Sequence, residues 1–470
     1  VRTGADYRAA LDDGRAVHVD GELVPNVAEH PAFRGVIDTM AAVYDAACVP
    51  GSCLVDPDTG RLAIFTVPRT RAQHDRRKVA LEEWSRLTHG FIGRGPDHVS
   101  GLLAGFATRP SLFDTDTHAL GRNVVGYHDH AAARSLWVTN SIVPPQQNPH
   151  DPTSRVTPVR LVEKTAGGIV VDGAQMLGTG AAVADAIFVT SVRPLAPSES
   201  SRALSFVVPI ATPGLRLLCR RPYATSGSAF DYPLSNRFDE TDAMVVFDQV
   251  LVPWASVFAA GDVAVVNSQF FGTAAHQIAN LQSIVRLTAK LRFVTGVASL
   301  IVKANGRESD LAIKGQLAEL ATVQTISEAL TEQAHACASL DEYGVFRPAG
   351  KYLYAALGMQ TEVYPRAVRL LGELAGGGVI QVPSSVLDLD DPVSVDAMDV
   401  LMGSDHLPVR ERVKLFKLAW DVVGSEFAGR HVQYERFYSG AAPVVRAQAH
   451  RFYPWADVER LASDFLESYR

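Results

Sequence analysis

The chain has 470 residues, 47% of them hydrophobic and 20% charged, and its 44 basic and 51 acidic side chains leave a net charge of −7. That is ordinary for a soluble globular protein but too long for one compact core, so two or three sub-structures packed as a unit are expected. The absence of a basic cluster argues against nucleic acid or an anionic membrane surface as main partner, and no apolar run approaches the roughly 18 residues of a membrane helix.

The opening stretch, Val1 to Asp20, is mixed polar and charged, which does not match a signal peptide. It carries no initiator methionine, so the numbering is expected to begin after a trimmed start. Cysteines at 48, 53, 219 and 337 are too few and too scattered for a disulfide framework. Cys48 and Cys53 could be half of a metal site, but no second Cys/His pair follows at ligand spacing. No metal is expected, and the default location is cytoplasmic.

Residues 1–133 read as mainly helical. Between Arg71 and Phe91, Leu81, Trp84, Leu87 and Phe91 recur at spacings of three and four, one apolar face of a helix. Gly90, Gly93, Gly95 and Pro96 break that pattern, and a new helix is predicted from Pro96. Residues 134–262 change period. Short β-branched runs at Val156–Val162, Ile169–Leu177, Ala186–Thr190, Leu204–Ile210 and Ala243–Val252 predict a mostly antiparallel, barrel-like β-domain. Asp172-Gly173, inside the second run, is a two-residue hairpin signal.

Residues 263–470 return to helix. Leu287, Leu291, Val294, Val297 and Ile301 form one stripe; Ile313, Leu317, Leu320 and Val323 begin another; Val409, Val413, Phe416 and Val423 mark a third. Helices apolar on one side need neighbours, which predicts a four-helix bundle followed by a tail. Gly376-Gly-Gly378 should break a helix, and Thr225-Ser-Gly-Ser-Ala229 has the composition of a mobile loop.

Helical, then β, then helical bundle is the order of acyl-CoA-dehydrogenase-like flavoproteins, although architecture alone does not give chemistry. Local runs are more specific. Asp231-Tyr-Pro-Leu-Ser-Asn-Arg-Phe-Asp-Glu240, Leu251-Val-Pro-Trp254, Gly424-Ser-Glu-Phe-Ala-Gly-Arg-His431 and Tyr434-Glu-Arg-Phe-Tyr-Ser-Gly440 resemble the large component of the 4-hydroxyphenylacetate 3-monooxygenase family. Gly21-Glu22, His30-Pro-Ala-Phe-Arg34, Glu83-Trp-Ser-Arg86 and Leu418-Ala-Trp-Asp421 match too, in order along nearly the whole chain.

The resemblance implies a two-component monooxygenase. A separate, transiently bound flavin reductase delivers FADH2, which reacts with molecular oxygen to a C4a-hydroperoxyflavin that hydroxylates a phenol. The site must then stay dry, hold the ring carbon in place and favour phenolate. The substrate is either a free phenol, halogenated and nitro phenols included, or a biosynthetic phenol tethered to a carrier protein. A homotetramer is implied as well.

Site residues follow from the same resemblance. Arg94, in Gly93-Arg-Gly-Pro-Asp97, matches the arginine that contacts the phenol oxygen. His98 stands where the type member has tyrosine, and Asn140, in Thr139-Asn-Ser-Ile-Val-Pro-Pro145, where it has histidine. Asparagine is no base near neutral pH, so both departures put 4-hydroxyphenylacetate itself in doubt. His276 looks like the histidine that deprotonates substrate in the chlorophenol monooxygenase branch. Ser226, Gly227 and Ser228 lie in the region that folds over substrate.

Thr179 matches a flavin-bonding threonine. Asn140, Ile142, Gln146, Gln147 and Asn148 border the same cofactor around the Pro-Pro turn. Tyr438, Ser439, Gly440 and Ala441 approach the dinucleotide, since glycine lets backbone come close to phosphate. Gly376 and Gly377 serve a neighbouring subunit's adenine end. No Gly-x-Gly-x-x-Gly fingerprint is present, so no nicotinamide site is indicated.

Three alternatives compete. An acyl-CoA dehydrogenase proper lacks a motif here. A 4-hydroxybutyryl-CoA-dehydratase-type enzyme needs a cysteine cluster ligand where this chain has Ser283. A non-catalytic homologue would have kept the fold and lost the site.

Overall fold

The computed structural model describes residues 1–116, 118–146, 157–223, 228–403 and 407–469. The first part is helical: α1 (Gly4–Ala9), α2 (Pro31–Cys48), α3 (Arg71–Leu87), α4 (Pro96–Phe106) and α5 (Gly121–Arg134). Thr70 and Gln73 start α3 by bonding each other's backbone N–H groups, a capping box. The helix stops at Leu87 rather than running to Phe91, because Gly90 turns left-handed (φ 72°). Phe91 reaches the core from the turn beyond. Pro96 opens α4 as its spacing predicts.

This part is not purely helical. β1 (Ala16–Val19) and β2 (Glu22–Leu23) form a hairpin across Asp20-Gly21, both at positive φ, and β1 joins the middle sheet. Nine further elements complete that region: β3 (Val138–Ser141), β4 (Arg160–Lys164), β5 (Gly168–Gln175), β6 (Ala186–Thr190), β7 (Leu204–Pro209), β8 (Leu215–Cys219), α6 (Ser235–Phe238), β9 (Ala243–Pro253) and β10 (Val257–Ala260). They build a six-stranded sheet, β2-β1-β8-β9-β5-β4, and a four-stranded sheet, β10-β7-β6-β3. Pairing is antiparallel except at β1–β8 and β3–β6.

The hairpin expected at Asp172-Gly173 is absent. β5 runs straight through it, and both flanks pair with β9, so the chain never reverses. The register shifts between Val171 and Gly173 because two residues of β9, Asp248 and Gln249, oppose the single Asp172, so the bulge lies on β9, where Gln249 takes φ 51°. Gly173 takes φ 114°, and a Cβ there would press on the Pro158 carbonyl at 2.6 Å. Turn-type residues in a strand interior marked a position opposite a bulge.

The last part holds α7 (Val263–Ser268), α8 (Ala275–Ala304), α9 (Leu311–Ala336), α10 (Gly350–Ala375), α11 (Pro392–Met402), α12 (Val409–Val423), α13 (Glu426–Phe437), α14 (Ala442–Phe452) and α15 (Trp455–Glu467). α8, α9, α10 and α12 form the bundle, with the predicted stripe from Leu287 to Ile301 buried along α8. α10 ends at Gly376 (φ 60°), as the glycine run predicts. The helical–β–helical order of the acyl-CoA-dehydrogenase-like arrangement is therefore observed.

One packing feature positions the site. α4 lies against α8 with almost no side chain between them. A Cβ on Gly101 would sit 2.7 Å from the Ala279 Cα, and one on Gly105 would collide with Ala275. Small residues on both helices let the backbones approach, which brings His98 on α4 and His276 on α8 into one neighbourhood.

Candidate functional site

The turn before α4 is fixed from behind. Glu240, fully buried, accepts from the N–H groups of Gly93 (2.9 Å) and Arg94 (2.7 Å), and Trp137 Nε1 donates to the Arg94 carbonyl (2.8 Å). Arg94 Nη2 donates to the Tyr438 carbonyl at 2.7 Å, and the guanidinium carbon lies 4.1 Å over the Tyr438 ring. Its Nη1 is buried and meets no acceptor among the described residues. A pinned cation with one free donor arm is prepared for an anionic or phenolic oxygen.

His98 lies one turn into α4, 7% exposed, its ring 5.9 Å from that of Tyr438. Its Nδ1 is buried without a partner among the described residues. Burial, then the charges of Arg94 and Arg286, hold its pKa well below the usual histidine value. The ring is therefore neutral and able to accept a proton or a hydrogen bond. Asn140, on β3 and 4% exposed, makes no side-chain hydrogen bond to a described residue.

His276 begins α8. Its Nδ1 is 2.8 Å from the Tyr354 hydroxyl, and its ring stacks on Phe271 with centroids 4.5 Å apart. Burial, with a contribution from Arg451, lowers its pKa to about 4. Asn280 ties it to the 438–441 turn, since Ser439 Oγ donates to Asn280 Oδ1 at 3.0 Å.

Thr179 belongs to the same region by a different route. Its carbonyl accepts from Thr139 Oγ1 (2.6 Å), and its hydroxyl donates to Asp242 (2.7 Å), which Arg430 also holds. The hydroxyl oxygen keeps its lone pairs for a further donor. Ile142 is partly buried and Gln146 exposed.

Tyr438, expected to approach the cofactor, also braces the site. At 4% exposed, it donates its hydroxyl to the Gly93 carbonyl (2.6 Å) or to Gln282 Oε1 (2.8 Å). Gly440 has φ 112°, a conformation L side chains rarely adopt, and a Cβ there would meet Val444 in ordinary contact at 3.8 Å. Gly376 and Gly377 are exposed at the end of α10, also with open space around them.

Arg94, His98, Thr179, His276 and Tyr438–Ala441 thus converge where the first helices, the β-domain and α8 meet, with Asn140 buried on β3 next to the Thr139 that bonds Thr179. Ser228 takes part in a different corner: its Oγ accepts from the Asp231 N–H, and Asp231 pairs with Lys417 at 2.6 Å. Gln147, Asn148, Ser226 and Gly227 lie outside the described residues. Two clefts lie away from this site. One of about 450 Å³ lies around His118 and Trp254, another of about 580 Å³ between α3, α8 and α9.

Sequence reasoning missed the layer beneath. Arg286 forms a two-pronged ion pair with Glu435 (2.7 Å on each oxygen), and its guanidinium carbon is 4.2 Å from the Tyr438 ring centre. Lys290 bonds the same carboxylate at 2.9 Å and His431 Nδ1 at 2.8 Å. Asp97 accepts from Gln282 Nε2 at 2.8 Å and is pushed up to about 7 by burial. The signal was present: Gln282, Arg286 and Lys290 recur every four residues along an otherwise apolar helix.

Two family models match the chain: 4-hydroxyphenylacetate 3-hydroxylase N terminal over residues 3–259, and its C-terminal counterpart over residues 266–467. The chain is 34% identical to the pyoverdin chromophore biosynthetic protein PvcC of Pseudomonas aeruginosa, covering 98% of this chain and 95% of that one. It is 33% identical to the oxygenase component of a Rhodococcus 4-nitrophenol 2-monooxygenase, covering 95% and 87%. A crystal structure of the oxygenase component HpaB of 4-hydroxyphenylacetate 3-monooxygenase, complexed with FAD and 4-hydroxyphenylacetate, superposes with a TM-score of 0.94 at 31% identity, covering 100% of this chain and 99% of that one. A 4-hydroxybutyryl-CoA dehydratase shares the fold at 19% identity with a TM-score of 0.88.

Proposed function

This chain belongs to the 4-hydroxyphenylacetate 3-hydroxylase family and is an oxygenase-component enzyme, and from that premise we propose that it hydroxylates a phenol using FADH2 supplied by a separate flavin reductase. The observation that carries the reading is that Arg94 Nη1 and His98 Nδ1, on neighbouring side chains, are both buried without a partner among the described residues.

Arg94 binds the phenol oxygen. A fixed positive charge beside a phenol lowers its pKa and stabilises phenolate, whose ring carbons are more electron-rich. His98, kept neutral by burial and by Arg94, can accept a hydrogen bond from the phenol O–H. Asn140 offers an amide donor to the oxygen or to the cofactor edge. The buried ring of Tyr438 and the packed α4–α8 contact keep water away from this group.

Reduced FAD, when bound, supplies the two electrons that let one oxygen atom enter the ring while the other leaves as water. The chain's residues fit that group: Thr179 keeps hydroxyl lone pairs for a ring N–H, and Gly440, at φ 112° and without a side chain, offers bare backbone to a phosphate at the 438–441 turn. Ile142 and Gln146 edge the same side. Gly376 and Gly377, exposed, serve a neighbouring subunit's adenine end in a homotetramer. Exposed apolar side chains on α11 (Val400 85%, Leu401 81%) and α15 (Leu461 74%, Phe465 68%) support such an assembly.

The substrate is a phenol smaller than or different from 4-hydroxyphenylacetate, because His98 and Asn140 depart from the type member's residues. Arg94→Ala tests the reading. The phenol concentration needed should rise by about 100-fold, roughly the 2–3 kcal/mol of a charged hydrogen bond, while FAD binding holds. If FAD binding fails and the phenol requirement does not move, Arg94 serves the cofactor instead.

A further inference from the structure

We infer that Tyr354 is a positioning residue that locks neutral His276 with its proton on Nε2, so that His276 gives a hydrogen bond to the phenol oxygen and does not take its proton. The inference rests on the phenol reading above for the identity of the acceptor, but its hydrogen-bond argument is independent of it.

Tyr354 is fully buried on α10, and its hydroxyl has one hydrogen-bond partner among the described residues, His276 Nδ1 at 2.8 Å. If Nδ1 carried the ring proton, it would donate to the tyrosine oxygen and leave a buried O–H with no acceptor. Leaving such a donor unmade costs about 1–3 kcal/mol. If the tyrosine donates to a bare Nδ1, every group is satisfied and the single ring proton stands on Nε2.

The surroundings exclude the doubly protonated ring. Asn280 Nδ2 donates to the His276 carbonyl at 2.8 Å, which fixes its amide orientation, since a carbonyl can only accept. That places an N–H group 3.2 Å from Nδ1 and 3.5 Å from Nε2, where an imidazolium would be repelled. The charged and titratable groups around the ring are Arg451 from α14, Tyr354 from α10 and His98 from α4. None is an anion that would hold a second proton. Nε2 meets no acceptor among the described residues.

The chemistry follows directly. A neutral imidazole whose Nδ1 lone pair is engaged by Tyr354 presents only Nε2–H outward. That N–H can donate to the phenol oxygen, as the Arg94 Nη1–H can, and it cannot remove the phenol proton.

Neutron diffraction from crystals of the full chain near neutral pH, without substrate, reads the proton positions. The expected map shows deuterium on His276 Nε2, none on Nδ1, and the Tyr354 deuterium aimed at Nδ1. Deuterium on Nδ1 overturns the inference. In solution, glutamine keeps an N–H donor near the Nε2 position but is no base. His276→Gln should retain hydroxylation within about 5-fold of the unaltered protein, whereas His276→Ala should lose more than about 10-fold. Equal losses in the two variants, with activity returning only above the phenol's own pKa, would make His276 the base. If the unaltered protein hydroxylates no phenol, the phenol reading fails, while the neutron map still decides the tautomer.

Discussion

Arg94 is held by Tyr438 twice, through its Nη2 hydrogen bond to the carbonyl and through its guanidinium lying 4.1 Å over the ring. Residue 438 thus fixes the direction of a side chain 344 positions away in sequence. The two contacts separate experimentally, because the carbonyl survives any substitution and the ring does not.

Tyr438→Phe keeps the ring and removes the hydroxyl that bonds Gly93 and Gln282. It should cost about 1–2 kcal/mol of stability in denaturant unfolding and leave the phenol requirement near normal. Tyr438→Ala also removes the surface under Arg94, and the phenol requirement should rise by about 10-fold. Equal phenol requirements in the two variants would mean that the ring does not position Arg94.

The buried Lys290 gives a pH signature. Burial drives its ammonium down to about 7, while an unfolded lysine titrates near 10.4. Between those values the unfolded chain binds more protons than the folded one, so stability rises with pH across that window. Lys290→Met removes this contribution. Unfolding measured from pH 7 to 10 should show the unaltered protein gaining roughly 2 kcal/mol relative to Lys290→Met. Parallel curves would show that Lys290 is charged in the fold throughout. Glu435 works the other way. Burial would raise its pKa, but Arg286 and Lys290 hold it well below the usual carboxylate range. Its contribution is present above the unfolded pKa and is lost only in strong acid.

Gly105→Ala tests the close approach of α4 to α8. The new methyl meets Ala275, a backbone contact that cannot rotate away. Overpacking of this kind costs about 1–3 kcal/mol, and it should separate His98 from His276. The expected result is a lower melting temperature together with more reduced FAD oxidised per product formed. A stability loss with unchanged product yield would show that the helix spacing does not set the site.

Removing residues 453–470 tests the assembly. α15 buries no residue against its own chain and exposes Leu461, Phe465 and Leu466. Sedimentation of the shortened chain should show smaller oligomers than the full one. An unchanged sedimentation coefficient would place the subunit contact elsewhere.

Periodicity located α3, α8, α9 and α12 and the strands β4, β5, β6, β7 and β9, but it singled out neither α10 nor β3, β8 and β10. The stripe from Leu287 to Ile301 is buried as its spacing requires. It failed where turn residues were used for another purpose: Asp172-Gly173 reads as a hairpin but stays inside β5, opposite a bulge in β9, because both flanks pair with β9. It also missed β1 and β2, whose short hairpin completes a sheet built mostly from residues far along the chain. At the site, Arg94 and His98 were legible through a matching run of residues, and their partners were not. Glu240 reaches the Arg94 N–H, Gln282 reaches Asp97, and Glu435 acts through Arg286 beside the Tyr438 ring, from three separate places in the chain, and no local spacing encodes those distances. The polar stripe on α8 was the one available clue.

The most direct test of phenol hydroxylation is isotopic. The protein, photoreduced FAD and a panel of free phenols are mixed with oxygen-18 gas, and products are read by mass spectrometry. The account predicts one labelled oxygen in a catechol or quinol from at least one free phenol. It is contradicted if no phenol gains label while the protein binds FAD and the flavin is oxidised at the same rate with every phenol as with none.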